Sequence, residues 1–92
     1  MTSVKRYKQN SGIPAREVGG VLAVITPGTS NIHRLNEVGA WLWRVCEGEG
    51  RTVDELVEGL VARYEVGEAQ ARVDVLEFLV QASKKNILVC FE

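Results

Sequence analysis

The side chains best suited to chemistry in this chain of 92 residues are one histidine, His33, and two cysteines, Cys46 and Cys90. A nucleophilic cysteine needs a general base beside it, and a zinc ion needs three or four protein ligands. The chain has no second histidine and no CxxC pair. No glycine-rich loop follows a strand and opens a helix, as a phosphate site would require. We therefore expect no catalytic site, no metal and no cofactor, and two mostly buried cysteines in a reducing cytoplasm.

Charge and length narrow the class of protein further. The chain has 11 basic and 12 acidic residues and a net charge of −1, which offers no basic patch for nucleic acid. No apolar run approaches the roughly 20 residues that span a bilayer. The first residues, MTSVKRYKQN, lack the apolar segment of a signal peptide. We expect one domain over residues 1–92, in the cytoplasm, with no nucleic-acid or membrane partner.

The segment 68–85 reads EAQARVDVLEFLVQASKK and predicts a helix with two apolar stripes. At about 100° of rotation per residue, the members of each stripe lie on one face of the helix. The first stripe can close the core of a small domain. Its members are Ala71, Val75, Phe78, Leu79 and Ala82. The second stripe lies roughly 140° away around the helix. Its members are Ala69, Val73, Leu76 and Val80. One stripe is enough for the core, so the second is expected to meet something else.

Strands are predicted ahead of the helices. Residues 13–18, 21–26 and 29–35 have strand patterns, with turns at Gly19-Gly20 and Pro27-Gly28. Short turns between consecutive strands imply an antiparallel sheet, and the third strand is expected at one edge of it. By alternation, Leu35 should face the core, and Ile32 and Arg34 the opposite side.

Three helices are predicted after the sheet. Asn36 is a good N-cap for the first, which should end near Gly48 or Gly50. Thr52 and Glu55 form a capping box for the second, over residues 53–64. Helical spacing puts Trp41 on the core side, whereas Trp43 is either core or an exposed contact. The tail 87–91 is either a strand or an apolar strap. The element order predicts an α+β fold like a winged helix-turn-helix.

Residues 35–66 resemble the PqqD family. A Leu-Asn pair opens a helix with an apolar-x-Trp step, a glycine-rich turn leads to a Thr-Val pair, and the next helix ends in Arg-Tyr. The likeness continues through Asp74-Val75, Phe78-Leu79 and Ile87-Leu88. Gly67 stands where the family often has a capping Asp, and Asn86 where it often has Gly. Both residues suit the same backbone roles.

The resemblance implies a recognition element for ribosomally made precursor peptides. PqqD-like domains bind the leader segment of the precursor and present it to a modifying enzyme, which is a radical-SAM enzyme or, in lasso-peptide clusters, a leader peptidase. The leader joins the sheet as an extra strand beside the third strand and settles in a groove against the third helix. The overall look of the sequence is closer to the lasso-peptide subunits.

The residue patterns agree with this expectation at two points. An edge strand offers unpaired backbone groups to a peptide, and the second stripe of the last helix could form the floor of a groove beside it. Arg34 and Arg72 could pair with acidic leader residues. The candidate peptide-binding residues are Asn31, Ile32, His33, Arg34, Ala69, Arg72, Val73, Leu76 and Val80.

Other interpretations remain open at this stage. The second stripe could belong to a three-layer core, or it could be the seam of a weak homodimer. His33 could be an ordinary strand residue, and both arginines could be solvated. A winged-helix DNA-binding regulator is the alternative function, although the last helix carries Asp74 and Glu77 where such a helix would need basic and amide side chains. A small enzyme fits least, because the paired carboxylates fall on helix faces expected to be solvated.

Overall fold

The computed structural model describes residues 5–26 and 31–91, and it confirms the α+β fold. A three-stranded antiparallel sheet and three helices follow one another as predicted, and two further strands pair near the chain ends. The elements are β1 Arg6–Gln9, β2 Ala15–Val18, β3 Val21–Thr26, β4 Asn31–Leu35, α1 Glu37–Val45, α2 Val53–Tyr64, α3 Glu68–Lys84 and β5 Leu88–Phe91. Pro27, Gly28, Thr29 and Ser30, which carry the predicted second turn and the start of the third strand, lie outside the described residues.

The main sheet has the order β2-β3-β4, so β4 lies at an edge as predicted. The Gly19-Gly20 turn joins β2 to β3, and both glycines have positive φ angles, 59° and 82°. A two-residue hairpin with positive φ at both central positions matches the twist of its strands, and glycine adopts it without steric cost. The register pairs Leu22 with Leu35, and both side chains are buried as alternation predicts.

A second, two-stranded sheet joins the beginning of the described chain to its end. In β1 and β5, Arg6 pairs with Phe91 and Gln9 with Leu88. The tail is therefore a strand, and its partner β1 was not predicted from the sequence. The expectation for Cys90 was wrong: it lies in β5 with its side chain exposed, while Cys46 is fully buried. Alternation along a two-stranded ribbon puts one face of each strand towards solvent.

The predicted helix caps are present. The side chain of Asn36 accepts from the N–H of Gly39 at 2.8 Å. Gly67 occupies the N-cap of α3 without a side-chain bond, and Asn86 adopts the left-handed conformation with φ 60°. Helix α1 ends at Val45, a few residues before the glycines expected to stop it.

The core lies between the sheet, the three helices and β5. Its buried apolar residues are Leu22, Val24, Leu35, Ala40, Leu42, Trp43, Cys46, Leu56, Val57, Leu60, Ala71, Val75, Leu79, Ala82, Ile87 and Leu88. Trp43 is the buried tryptophan, and its indole N–H donates to the carbonyl of Ile87 at 3.1 Å. Trp41 is only partly buried at the edge of the core, where its ring meets Tyr64 edge-on. Trp41 thus packs on the core side as predicted, but only at its edge, and of the two alternatives for Trp43 the structure shows the core position.

The capping box of α2 provides a test of local stability. The N–H of Glu55 donates to the Thr52 hydroxyl at 3.1 Å, and the N–H of Thr52 donates to the Glu55 carboxylate at 2.9 Å. That second bond, helped by Arg6, holds the pKa of Glu55 below its usual 4.5. Thr52→Ala should lower the free energy of unfolding at neutral pH by about 1 kcal/mol, as measured by urea denaturation.

The same box gives the sign of a pH effect. Because the pKa of Glu55 is lower in the folded state, its contribution to stability is present above pH 4.5 and is lost as the pH falls below that value. Glu55→Gln keeps an acceptor for the Thr52 N–H and removes the charge, so the variant should lose less stability than the parent on acidification. An equal loss in both proteins would contradict this assignment.

Candidate functional site

The outer edge of β4 has no partner strand among the described residues. In β3 the N–H of Ile25 donates to the carbonyl of Pro14 at 3.0 Å, on the β2 side. Backbone groups of successive strand residues point to opposite sides, so the neighbouring residues of β3 bond towards β4. Their partners in β4 are Asn31, His33 and Leu35. The N–H and C=O groups of Ile32 and Arg34 consequently point away from the sheet, at an open edge.

A groove of about 390 Å³ lies between the C-terminal end of β4, α1 and α3. Its lining residues are Arg34, Leu35, Asn36, Val38, Gly39, Leu42, Asp74, Glu77, Phe78 and Gln81. The apolar members come from all three elements, and the two carboxylates lie on the α3 wall. The groove thus adjoins the open backbone edge, and it combines an apolar floor with a charged rim.

Gly39 keeps the floor of this groove low. A Cβ atom at this position would lie 3.5 Å from the ring carbon Cε1 of Phe78 and 3.2 Å from the Asn36 side-chain oxygen that caps α1. A larger side chain would therefore occupy space beside Phe78 and press on the cap. Because Gly39 has no side chain, the groove has room beside Phe78 for a side chain of a bound molecule.

The second stripe of α3 is exposed, but it does not form the floor of the groove. Val73, Leu76 and Val80 are 54%, 45% and 52% exposed, and Ala69 is also exposed. None of them lines the groove, which takes the sector of α3 between the two stripes. Helical spacing fixes the angles around α3 but not which of its sectors is turned towards β4, so the stripe lies outside this groove. That these residues contact a peptide remains a prediction.

Phe78 is the groove residue that the sequence reasoning missed. It was assigned to the core stripe, yet its side chain is partly buried and lines the groove. Its position on the helical wheel gave a signal, since Phe78 falls at the border between the core stripe and the polar sector. A large aromatic ring at such a border can pack on the core and still present one side to a ligand.

The two arginines lie in different places. Arg34 borders the groove at the edge of β4 with its side chain on the outer side of the sheet, whereas Arg72 pairs with Asp54 of α2 at 3.0 Å. That ion pair borders a separate cavity between α2 and the start of α3. Arg72 is therefore not among the residues that line the groove beside β4, and its contact with a leader peptide remains a prediction.

His33 ties β4 to the end of α3. Its Nε2 lies 2.7 Å from the Thr26 hydroxyl, which in turn donates to the carbonyl of Lys85 at 3.1 Å. Because the hydroxyl has a single proton, His33 Nε2 is the donor in the first contact. The ring holds the strand against the helix. Asn31, at the start of β4, is exposed.

The outer face of the main sheet is a second exposed apolar surface. Val18, Val21 and Ile32 are 62%, 37% and 59% exposed, and the register places them all on the side away from the helices. Arg34 leaves the sheet on the same side. The prediction that Ile32 and Arg34 face away from the core is confirmed.

The position of Cys46 is unfavourable for chemistry. Burial raises the pKa of the Cys46 thiol to about 12, so this cysteine is a protonated core residue and not a nucleophile. Within residues 5–26 and 31–91, no three His, Cys, Asp or Glu side chains are grouped to hold a metal ion. In the same ranges, no helix has both the length and the apolar character to cross a membrane.

The exposed surface of α3 differs from that of a helix that reads DNA. It presents the carboxylates of Asp74 and Glu77 in the same sector as the amides of Gln70 and Gln81, beside the aliphatic stripe. The carboxylates would repel phosphate, and Lys84 and Lys85 lie only at the C-terminal end. Base readout and phosphate contacts both call for basic and amide side chains. The geometry therefore gives no support to the DNA-binding alternative.

Comparison with known families decides the assignment of the chain. Residues 22–88 match the family model of PqqD, described as coenzyme PQQ synthesis protein D. The chain belongs to the PqqD family. A search of curated proteins gave no match. The predicted resemblance is confirmed, and it covers the main sheet from β3 onwards, all three helices and the first residue of β5.

Solved structures share the fold of this PqqD-family chain. TbiB1 in complex with the TbiA(beta) leader peptide is 22% identical, with a TM-score of 0.76, and the match covers 88% of this chain and 93% of TbiB1. Lasso peptide synthetase B1 complexed with the leader peptide is 13% identical, with a TM-score of 0.77 and coverage of 91% and 98%.

A third similar structure comes from Methylobacterium extorquens. It is the PqqD truncation of PqqCD, solved by NMR as a functional and stand-alone recognition element for ribosomally synthesised and post-translationally modified peptides. It is 20% identical, with a TM-score of 0.70, and the match covers 94% of this chain and 88% of that one.

Proposed function

We propose that this protein binds the leader segment of a ribosomally made precursor peptide and presents it to a modifying enzyme. The observation that carries the proposal is the open edge of β4 beside an apolar groove. Strand addition to such an edge, with side chains read by an adjoining pocket, is a general mode of peptide recognition. Support comes also from the leader peptides bound by TbiB1 and lasso peptide synthetase B1.

In this binding mode the backbone supplies affinity and the groove supplies selectivity. The leader would pair with the free N–H and C=O groups of Ile32 and Arg34 and extend the sheet by one strand. One apolar side chain buried in the groove contributes roughly 1.5–3 kcal/mol before entropic losses. Two or three anchors together with strand bonds reach about −8 kcal/mol, which corresponds to a micromolar dissociation constant.

The proposal assigns no catalysis to this chain. Its partner would be a separate enzyme, a leader peptidase in a lasso-peptide pathway or a radical-SAM enzyme in a PQQ-type pathway. Two exposed apolar surfaces, the stripe of α3 and the outer face of the sheet, are available to that enzyme. Either surface could also hold a second copy weakly, so the protein would be a monomer or a weak homodimer. The unpaired cysteines support a cytoplasmic site of action.

A titration of the ¹⁵N-labelled protein with the leader of the precursor encoded beside its gene tests this function. We expect a dissociation constant of about 10 micromolar or tighter, with amide shifts concentrated in β4 and along the groove. A folded protein that shows no binding at tens of micromolar would refute the proposal.

Two variants then decide how far the site extends over α3. Phe78→Ala removes the aromatic wall of the groove and should weaken leader binding by about 10-fold or more. Leu76→Asp puts a charge on the exposed stripe and should leave the fold intact, whereas Val75→Asp should unfold it, since Val75 is fully buried. Loss of binding in Leu76→Asp would show that the leader also crosses the stripe; unchanged binding would confine it to the groove.

A further inference from the structure

The carboxylates of the groove have no ionic partner within the described chain. Among the described residues, ion pairs join Arg6 to Glu55, Arg44 to Glu17 and Arg72 to Asp54, and none of them includes Asp74 or Glu77. Asp74 accepts a hydrogen bond from the side chain of Gln70 at 2.8 Å, and Glu77 is exposed. Two negative charges therefore lie on one wall of a groove that must otherwise receive apolar side chains.

Their spacing brings them next to the apolar floor. Asp74, Glu77 and Phe78 lie within about one turn of α3, a rise of roughly 6 Å. Side chains on one face of an extended peptide recur every second residue, at roughly 6.6 Å. A peptide that places one side chain against Phe78 therefore brings its next side chain on the same face within reach of the carboxylates.

Resting on the proposed leader-binding function, we propose that the groove selects a basic leader segment: an apolar side chain in the floor and a lysine or arginine two residues away, paired with Asp74 and Glu77. The long aliphatic stems of lysine and arginine suit this position, because they can cover the floor while the charged group reaches the rim. A carboxylate at the same peptide position would face two like charges and would be rejected.

Arg34 gives the opposite preference on the other face of the bound strand. Its side chain leaves β4 on the outer side of the sheet, opposite to Leu35. Leader residues that alternate with the apolar and basic ones would lie on that outer side, next to Ile32 and Arg34. An acidic residue is tolerated there and not in the groove, so the selectivity is for the position of the positive charge and not for net charge.

The experiment is a selection from a random peptide library against the wild-type protein and against the Asp74→Lys/Glu77→Lys double variant. Wild type should enrich lysine or arginine two residues from an apolar position, and the double variant should enrich aspartate or glutamate there. Glu58→Lys, on the exposed side of α2, is a control for added positive charge away from the groove, compared with each single variant, and should enrich the wild-type motif.

A peptide synthesised from the wild-type consensus then allows a charge swap, measured by fluorescence anisotropy. Replacing its basic residue with glutamate should weaken binding to wild type by about 10-fold. The double variant should bind the glutamate peptide more tightly than the parent peptide. Raising the salt concentration should weaken the binding of the parent peptide to wild type. It should have a smaller effect on a peptide in which alanine replaces the basic residue.

The outcomes separate this inference from the function on which it rests. Peptides that bind wild type and the double variant equally, with no basic residue at a fixed position, overturn the charge selectivity and leave leader binding intact. A folded wild-type protein that enriches no peptide overturns both.

Discussion

Arg34→Pro is expected to weaken leader binding strongly while the domain stays folded. The N–H of Arg34 points to the open edge of β4, so proline there removes no bond to β3. It does remove one donor that an incoming strand needs, and its ring fills the space beside the edge. An unsatisfied carbonyl in the bound peptide costs about 1–3 kcal/mol. We expect a loss of affinity of about 10- to 100-fold or more, measured by titration calorimetry with the leader peptide.

Two controls isolate the backbone effect. Arg34→Ala removes the charge but keeps the N–H, so it should bind much more tightly than the proline variant. His33→Pro removes an N–H that bonds to β3 and should destabilise the sheet itself. If Arg34→Pro unfolded the protein as badly as His33→Pro, or bound the leader as well as Arg34→Ala, the assignment of the open edge would be wrong.

The largest effect on stability is expected from Trp43→Ala. This residue is 6% exposed, and its indole links α1 to the chain just before β5. Truncating a buried tryptophan costs about 3–5 kcal/mol, which is a large share of the roughly 5–14 kcal/mol available to a domain of this size. The variant should unfold at a temperature lower by about 15 °C or more, as shown by thermal denaturation followed by circular dichroism.

Two further substitutions separate packing from hydrogen bonding. Trp43→Phe keeps most of the apolar volume but loses the bond to Ile87. The carbonyl of Ile87 also accepts from the N–H of Asn10 at 3.2 Å, so we expect a loss of only about 1 kcal/mol from the missing bond. Trp41→Ala, at the edge of the core, should cost clearly less than Trp43→Ala. The reverse order would show that Trp41 contributes more to the core than its partial burial indicates.

Local signals predicted much of this fold. The Gly19-Gly20 turn and the capping box at Thr52 depend on neighbours within a few residues, so the sequence displays their chemistry directly. The buried stripe of α3 was also evident, because Ala71, Val75, Leu79 and Ala82 recur at the helical period.

Features that depend on tertiary geometry were harder to predict. The side chains of β1 carry no strong strand pattern, and its pairing joins residues at opposite ends of the chain. Trp41 and Trp43 could not be ranked, since the hydrogen bond to Ile87 forms only after β5 folds back. The groove illustrates the same difficulty. The sequence indicated an edge strand and a helix, but the side of α3 that faces β4 depends on how α1 packs against both elements.

The pairing of β1 with β5 also bears on how such a domain can be combined with others. Arg6 lies opposite Phe91, so the chain enters and leaves the fold within one strand spacing, about 5 Å. The open edge of β4 belongs to the other sheet. A neighbouring domain could therefore be attached at either end, or this unit inserted into a loop of another protein, without threading a linker through the peptide groove. The point of attachment and the proposed peptide-binding edge thus lie on different sheets, so a fused domain would leave the edge accessible.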